Sequence, residues 1–240
     1  MSLPLSVYRR MPKRLPLSLG FSRYSLSFNG VDNYVKVPTS PSLQNFTAKT
    51  VLIWVYVPPA DGLFRYIFDN GFGTPPYGDM FFRHATNDVI RVYLKNTAGK
   101  IASIPVGVTP NSWVLVGYSW DGETVTYIKN GASVGTSSLT GTLGCSGQDL
   151  FIGSSQGTGG WFNSLIASVL IYNRDLSLRE IRYNMINYHS PVRDGLVLWL
   201  HDRIVGNTWY DESGYGNNGI IYGAVKKNLS MWELRSGVGL

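Results

Sequence analysis

The protein has 240 residues, a formal charge of +6 and only 15% charged residues. This length suits a single large β-domain, and the charged share lies well below the ~25% of an average globular protein. The 27 glycines, 15 tyrosines, 10 phenylalanines and 7 tryptophans favour strands joined by tight turns. The single cysteine, Cys145, excludes an intramolecular disulfide.

The basic charge is concentrated at the N-terminus. Five of the 21 basic residues lie in the first 25 residues, which contain no acid. We predict a basic, proline-containing arm over residues 1–24, which either contacts an anionic partner or is a solvated tail. Its basic residues include Arg9, Arg10, Lys13 and Arg14. A charge confined to an arm gives no specific nucleic-acid recognition.

No segment of the sequence has the features of a membrane or export signal. Prolines interrupt the first twenty residues, and no standard signal peptide is seen. No apolar run approaches the ~20 residues that a membrane helix needs. We therefore predict no membrane insertion.

The first half of the chain contains short β-like segments in quick succession. SLSFNGVDNYVKV, residues 25–37, alternates around an Asn-Gly pair and predicts two short strands or one bent strand. TVLIWVYV, residues 50–57, is β-branched and aromatic and predicts a central strand. Further strands are predicted from LFRYIFDN, DMFFRHA and DVIRVYLK.

The segment from Ser112 to Ser138 gives the clearest local pattern. Asp121-Gly122 and Asn130-Gly131 each separate two alternating runs, and both dipeptides favour the positive φ angles of a two-residue hairpin. The segment therefore predicts a three-stranded antiparallel meander.

The remaining elements are four strands and one helix. DLFIGS and SLIASVLIYN predict two strands on either side of a loop, and GLVLWLHDR and GIIYGAV predict two more near the C-terminus. Residues 176–188 predict the helix, because Ser177 and Glu180 have the spacing of a capping box. About a dozen strands without βα alternation indicate an all-β, two-sheet antiparallel jelly-roll sandwich with one short peripheral helix.

Several of these segments, in this order, resemble the laminin-G-like, concanavalin-A-like jelly rolls. They are SLSFNGVDNYVKV, TVLIWVYV, SWVLVGYSWDGETVTYIKNG, DLFIGS and WFNSLIASVLIYNRDLSLREI. In that family, segments like GLVLWL and YDESGYGNNGIIYGA commonly precede the SLSFNG strand, whereas here they come last. The resemblance implies one jelly-roll domain over residues 25–240, with residues 191–240 supplying circularly permuted strands that pair within the chain or with a second subunit.

Catalysis is not expected. Related glycanases use two carboxylates on one face of a strand, and no strand of this sequence carries such a pair. His84, His189 and His201 are isolated in sequence and are interpreted as surface or structural residues. We therefore predict that the protein is not an enzyme and has no cofactor, with calcium as the one ion to consider.

The calcium hypothesis comes from the resemblance. Family members often bind calcium through an acid in the region that corresponds to FNGVDNY, and Asp32 occupies that place. The second acidic position of the family is replaced by FNSLIASV. Asp32 and Asn33 are alternatively explained as residues that order their own turn.

Three loops combine aromatic residues with polar groups suited to a sugar. A pyranose needs an aromatic ring against its C–H face and hydrogen-bonding groups for its hydroxyls. FGTPPYGD, GSSQGTGGW and YDESGYGNN meet this description. The candidate ligand-binding residues are Tyr77, Asp79, Trp161, Tyr215 and Asn217.

Two functions follow from these observations. The first is a non-catalytic recognition module that binds a glycan or a cell-surface ligand, in an extracellular or particle-surface setting. The second is a structural subunit of a virion or surface layer, which self-associates or contacts other subunits through the arm and the C-terminal strands. The sequence leaves both open.

Overall fold

The computed structural model describes residues 24–145 and 147–229, which form sixteen strands and one α-helix. The basic arm with Arg9, Arg10, Lys13 and Arg14 lies outside the described residues. The helix α1 is Leu178–Ile186, and a short 3-10 helix is Pro41–Leu43. The strands are β1 Tyr24–Ser27, β2 Tyr34–Val37, β3 Lys49–Tyr56, β4 Arg65–Asn70, β5 Asp79–Arg83, β6 Val89–Lys95, β7 Ile101–Gly107, β8 Trp113–Trp120, β9 Thr124–Lys129, β10 Ala132–Ser138, β11 Leu150–Ile152, β12 Leu165–Tyr172, β13 Leu196–Val205, β14 Thr208–Asp211, β15 Gly219–Tyr222 and β16 Val225–Asn228.

The strands form two layers that are connected along one edge. Hydrogen bonds link fourteen of them in the order β10-β9-β8-β3-β12-β13-β14-β15-β2-β11-β4-β5-β6-β7, β1 pairs with β12 and β16, and every pair is antiparallel. The first layer is centred on β8, β3 and β12, and the second is centred on β2, β11, β4 and β5. The long strand β13 pairs with β12 through one half and with β14 through the other, so it joins the layers. The predicted two-sheet antiparallel jelly roll is confirmed.

The main hydrophobic core fills the space between the layers. Alternate residues of each strand point inward, as in Val35 and Val37 of β2 and Val92 and Leu94 of β6, all of which are buried. Tyr118 of β8 stacks on Phe81 of β5 across this core, with ring centroids 5.9 Å apart.

A second, smaller core lies on the outer face of the first layer, where α1 covers it. Ile181 of the helix packs there with Trp54, Trp113 and Trp199. The predicted capping box is present: the Ser177 side chain accepts from the Glu180 N–H, and the Glu180 carboxylate accepts from the Ser177 N–H. The single helix is therefore peripheral to the sandwich, as predicted.

The C-terminal strands pair within the same chain. Strand β16 pairs with β1, with Val225 opposite Ser27, and β15 pairs with β2, with Tyr222 opposite Tyr34. From the sequence we expected residues 195–200 and 219–225 to pair with the strand at Ser25–Phe28. Of these residues only Val225 pairs there, because β15 pairs with β2 and β13 lies between β12 and β14. The permuted order of the domain stays a prediction.

Most predicted strands are present, and residues 25–37 form two strands rather than one bent strand. Strands β7, β14 and β16 were not predicted from the sequence. Strand β7 contains Pro105 and is the last strand of its layer, the kind of edge position where proline is tolerated. Within the described residues, no helix has the length and apolar character required to cross a membrane.

Candidate functional site

The solvent-facing side of the second layer carries an aromatic residue on each of six consecutive strands. We call this row the aromatic band. Its members are Tyr222 of β15, Tyr34 of β2, Phe151 of β11, Tyr66 of β4, Phe82 of β5 and Tyr93 of β6. Strand neighbours such as Val35 and Val92 point into the core, which places the alternate aromatic residues on the outer face.

The rings of the band contact one another in two groups of three. Tyr222 and Tyr34 are stacked, with centroids 4.5 Å apart and planes 10° apart, and Tyr34 lies 6.0 Å from Phe151. On the other side, Phe82 lies 5.5 Å from Tyr66 and stacks on Tyr93 at 5.6 Å. Adjacent strands are about 4.8 Å apart, so the band spans roughly 24 Å across the layer.

The loop of residues 154–161 crosses the middle of the band. Gly160 has φ +60° and lies so close to the Tyr66 ring that a Cβ there would be 2.2 Å from Cδ2. Gly157 similarly lies against Phe151 and Tyr34. The loop therefore covers this central part of the band.

Asp69 of β4 holds this loop in place through a hydrogen bond. Its carboxylate accepts hydrogen bonds from the Ser155 hydroxyl and from the backbone N–H of Phe72. Burial raises the pKa of the Asp69 carboxyl above its usual value. Asp69 therefore ties the loop of residues 154–161 to the loop that follows β4.

The first end of the band, which we call the first aromatic site, consists of Tyr34, Tyr222 and Trp161. The Trp161 ring lies 5.9 Å from that of Tyr34, and 39% of Tyr222 is exposed. Lys36 shares the outer face of β2 with Tyr34 and forms an ion pair of 3.3 Å with Asp149. The sequence-predicted residue Trp161 thus belongs to a real cluster of partly exposed rings and polar groups.

The other end, the second aromatic site, consists of Phe72, Tyr77 and Tyr93 around the Lys95 ammonium group. Phe72 meets Tyr93 edge to face at 5.6 Å. The Lys95 Nζ lies 3.5 Å from the centroid of Tyr77 and 5.7 Å from that of Phe72. The structure therefore places Tyr77 at the opposite end of the band from Trp161.

Asp79 is not available to a ligand, which corrects the prediction for this residue. Its side chain is completely buried, with Oδ1 2.5 Å from the Lys49 Nζ and Oδ2 accepting a 2.8 Å hydrogen bond from the Tyr118 hydroxyl. The prediction came from the place of Asp79 at the end of the loop segment FGTPPYGD. However, β5 begins at Asp79 and turns its side chain into the core.

Asn217 is also a structural residue, contrary to the prediction. It is buried, and its side-chain amide donates to the Ser42 hydroxyl and to the Val197 carbonyl. Tyr215 lies in the same loop and is 58% exposed. Tyr215 therefore stays a candidate, although none of its described contacts connects it to the aromatic band.

The contacts around Asp32 favour a turn that is complete without calcium. Asp32 Oδ1 accepts from the side-chain amides of Asn29 and Asn33. In the neighbouring loops, the Arg65 guanidinium group pairs with Asp61 and donates to the carbonyls of Gly30 and Trp161. Calcium needs six to eight oxygen ligands, and a protein cation already binds the nearest loop carbonyls. The residues present therefore do not fit a calcium site.

Two histidines that are isolated in sequence are neighbours in the structure. The rings of His189 and His201 lie 5.7 Å apart, and the His189 Nδ1 lies 3.6 Å from Asp202 Oδ2. Among the described residues, His189, His201 and Asp202 form a group whose possible ligand atoms all lie within 4.8 Å of one another, as a metal site requires. The His201 Nδ1 already accepts a hydrogen bond from the Asp202 N–H, so the ring does not offer that atom to a metal. His189 and His201 are thus close in the fold although they are isolated in sequence, and their surface or structural role stays a prediction.

We expect His201 to make the stability of the fold depend on pH. Burial lowers the pKa of His201 from 6.5 to about 4. The unfolded chain therefore takes up this proton below pH 6.5, whereas the folded chain does so only near pH 4. The free energy of unfolding should fall as the pH is lowered through this window, by up to about 3 kcal/mol from this group.

The measurement is urea unfolding of the wild type and of His201→Gln at several pH values between 7 and 4. The variant lacks the titrating group, so its stability should depend less steeply on pH. Equal pH slopes for the two proteins would show that His201 does not titrate between those values.

Comparisons with known proteins agree with this architecture. A family profile described as the concanavalin A-like lectin/glucanases superfamily matches residues 29–182, more than half of the chain. No curated protein matches the chain.

Solved structures with a similar fold come from several sources. One is a proposed carbohydrate binding protein from Bacteroides ovatus, with a TM-score of 0.69 and 16% identity over 88% of this chain and 61% of that one. Another is the heptameric SAP-like pentraxin from Limulus polyphemus, with a TM-score of 0.58 and 15% identity over 89% and 98%. A third is the binding domain of Paraclostridial Mosquitocidal Protein 1, with a TM-score of 0.51 and 14% identity over 71% and 53%. At these identities the likeness concerns the fold alone.

Proposed function

The chain belongs to the concanavalin A-like lectin/glucanases superfamily, and from this premise we propose that it is a non-catalytic module that binds a glycan through the aromatic band. The observation that carries the proposal is the row of six aromatic residues on the solvent-facing side of one layer. A sandwich does not need aromatic rings on an outer face for its core. Rings placed there can pack against the C–H faces of sugars.

The two aromatic sites supply both kinds of contact that a sugar requires. At the first site, the partly exposed rings of Tyr34, Tyr222 and Trp161 lie beside the Lys36–Asp149 ion pair, whose groups can bind hydroxyls. At the second site, the Lys95 ammonium group lies among three rings. The two sites lie at opposite ends of the band, on either side of the loop of residues 154–161, so we propose that each binds its own sugar unit. The similar protein from Bacteroides ovatus, a proposed carbohydrate binding protein, supports the same class of ligand.

The acids of the strands support a role without catalysis. Asp69 holds the loop of residues 154–161, and Asp79 pairs with Lys49 in the core. Asp211 accepts from the backbone N–H groups of Trp199 and Asn217. Each of these carboxylates has an internal structural partner, so we propose that none protonates or attacks a glycosidic bond.

We expect a glycan array to identify an oligosaccharide that the protein binds. Trp161→Ala and Tyr222→Ala should each weaken that binding at least about tenfold, because truncating an aromatic residue within a contact commonly costs more than about 1.4 kcal/mol. The matched control is Tyr183→Ala, which removes a ring of similar exposure from α1, on the other layer. Equal losses in all three variants, or losses in none, would argue against the aromatic band as the binding surface.

The alternative function is assembly with other subunits, and the edge strand β16 is the feature that bears on it. The four residues of β16 are exposed, and among the described strands β16 pairs with β1 alone. Lys226 and Lys227 lie in this strand, and lysines on an edge strand disfavour pairing with a further strand. We therefore rank glycan binding first, and place it at a cell or particle surface. A large, concentration-dependent assembly in native mass measurements would reverse this ranking.

A further inference from the structure

A lysine and an aspartate face each other in the centre of the main core. The Lys49 Nζ lies 2.5 Å from Asp79 Oδ1, and both side chains are completely inaccessible to solvent. Lys49 is the first residue of β3 in the first layer, and Asp79 is the first residue of β5 in the second. The pair therefore bridges the two layers of the sandwich.

The surroundings of the pair are mostly aromatic. The Phe46 and Phe68 ring centroids lie 4.4 Å and 5.9 Å from the Lys49 Nζ. The Tyr118 hydroxyl donates a 2.8 Å hydrogen bond to Asp79 Oδ2, which leaves Oδ1 to the amine. These groups keep water away from the sides of the pair that they cover. The two oxygens of the Asp79 carboxyl group have different neighbours.

The short contact brings the two groups together with no room for water between them. A proton that passes from the ammonium group to the carboxylate along this contact gives an amine and a carboxylic acid. These two functional groups are the reactants of amide formation.

We propose that Lys49 and Asp79 are joined by an intramolecular isopeptide bond that the folded chain forms by itself. The lone pair of the neutral Lys49 Nζ attacks Asp79 Cγ, and the bond between Cγ and Oδ1 breaks. One proton passes from Nζ to the departing Oδ1 hydroxyl, which leaves as water. The reaction is a condensation without oxidation or reduction, so it requires no further reactant.

The geometry supplies the two contributions that such a reaction needs. The fold holds the amine against the carboxyl group, which replaces a bimolecular encounter with an intramolecular one of very high effective concentration. The Tyr118 hydroxyl lies at hydrogen-bond distance from Oδ2, where negative charge develops when the amine attacks. Exclusion of water from the site then protects the amide from hydrolysis.

Cys145 lies next to the pair but does not compete with Lys49. Its Sγ is 3.9 Å from Asp79 Oδ1. Burial raises the pKa of the Cys145 thiol to about 12, so the sulfur stays protonated and is a poor nucleophile.

The test is mass spectrometry of the full chain under denaturing conditions, followed by trypsin digestion. The intact protein should be lighter than its sequence by one water molecule. Trypsin cannot cleave after an acylated lysine, so the digest should contain a branched peptide in which residues 37–65 are joined to residues 66–83. An unmodified intact mass, with separate peptides ending at Lys49 and Arg83, would refute the proposal.

Variants test the assigned atoms. Asp79→Asn should still form the bond but release ammonia instead of water, which gives a different and diagnostic mass loss. Tyr118→Phe retains the ring without its hydroxyl and should leave a measurable uncrosslinked fraction in freshly folded protein. Lys49→Met should have the full sequence mass even where it folds poorly. A wild-type mass loss that persists in Lys49→Met would assign the modification to another site and reject the bond proposed here.

Discussion

Deletion of residues 191–240 is expected to leave a chain that is insoluble or unfolded. The deleted segment contains β13, which joins the two layers, and β15 and β16, which pair with β2 and β1. It also removes six buried core side chains, namely Val197, Leu198, Leu200, Ile204, Trp209 and Ile221. Their burial contributes roughly 9–18 kcal/mol at 1.5–3 kcal/mol each. This is as large as the ~5–15 kcal/mol by which a typical domain is stable.

The measurement is the soluble yield of the truncated chain, with circular dichroism on any soluble fraction. Tyr77→Ala and Tyr215→Ala are the controls, because these residues lie in surface loops and their loss should leave the fold intact. If the truncated chain were soluble, monomeric and as stable to heat as the full chain, the C-terminal strands would be an appendage and not part of the sandwich.

Replacement of Lys49 by methionine removes the proposed crosslink and also leaves Asp79 buried without its partner, and the unpaired carboxyl group alone is expected to destabilise the fold by about 3–5 kcal/mol. The matched control is Lys36→Met, which breaks an ion pair whose side chains are about a third exposed and should cost less than about 1 kcal/mol. The double variant Lys49→Met, Asp79→Leu should recover the part of the loss that comes from the unpaired carboxyl group.

Urea unfolding of the wild type and the three variants provides the comparison. A Lys49→Met protein that unfolds at the same urea concentration as Lys36→Met would mean that Asp79 finds another partner or water in the core. In that case the pair would not be a principal link between the layers.

The local elements of this fold were predictable because their signals lie in adjacent residues. The two hairpins at Asp121-Gly122 and Asn130-Gly131 follow from turn chemistry, and the start of α1 follows from Ser177 and Glu180. The edge strand β7 was missed because Pro105 interrupts a pattern that would otherwise suggest a strand.

The candidate site could be predicted only in part. Loop composition identified Trp161 and Tyr77, but the strand-borne rings of the band were missed. Their signal was present in the sequence. Tyr34 and Lys36 lie two residues apart and share one face of β2, and Tyr93 and Lys95 share one face of β6 in the same way. An aromatic residue that shares the polar face of a strand indicates an exposed ring.

Asp79 shows the limit of sequence reasoning for long-range contacts. Its partner Lys49 is 30 residues away and belongs to the opposite layer. Only the packing of the two layers brings the amine and the carboxyl group together, so no local pattern could distinguish this buried acid from an exposed turn residue.

The most direct test of glycan binding by the aromatic band is an NMR titration of isotope-labelled protein with the oligosaccharide that the array identifies. We expect the largest chemical-shift changes at Tyr34, Trp161 and Tyr222 of the first aromatic site and at Tyr93 of the second. Changes confined to α1 and the outer face of the first layer, or to the loop that carries Tyr215, would place the ligand elsewhere and contradict the proposed function.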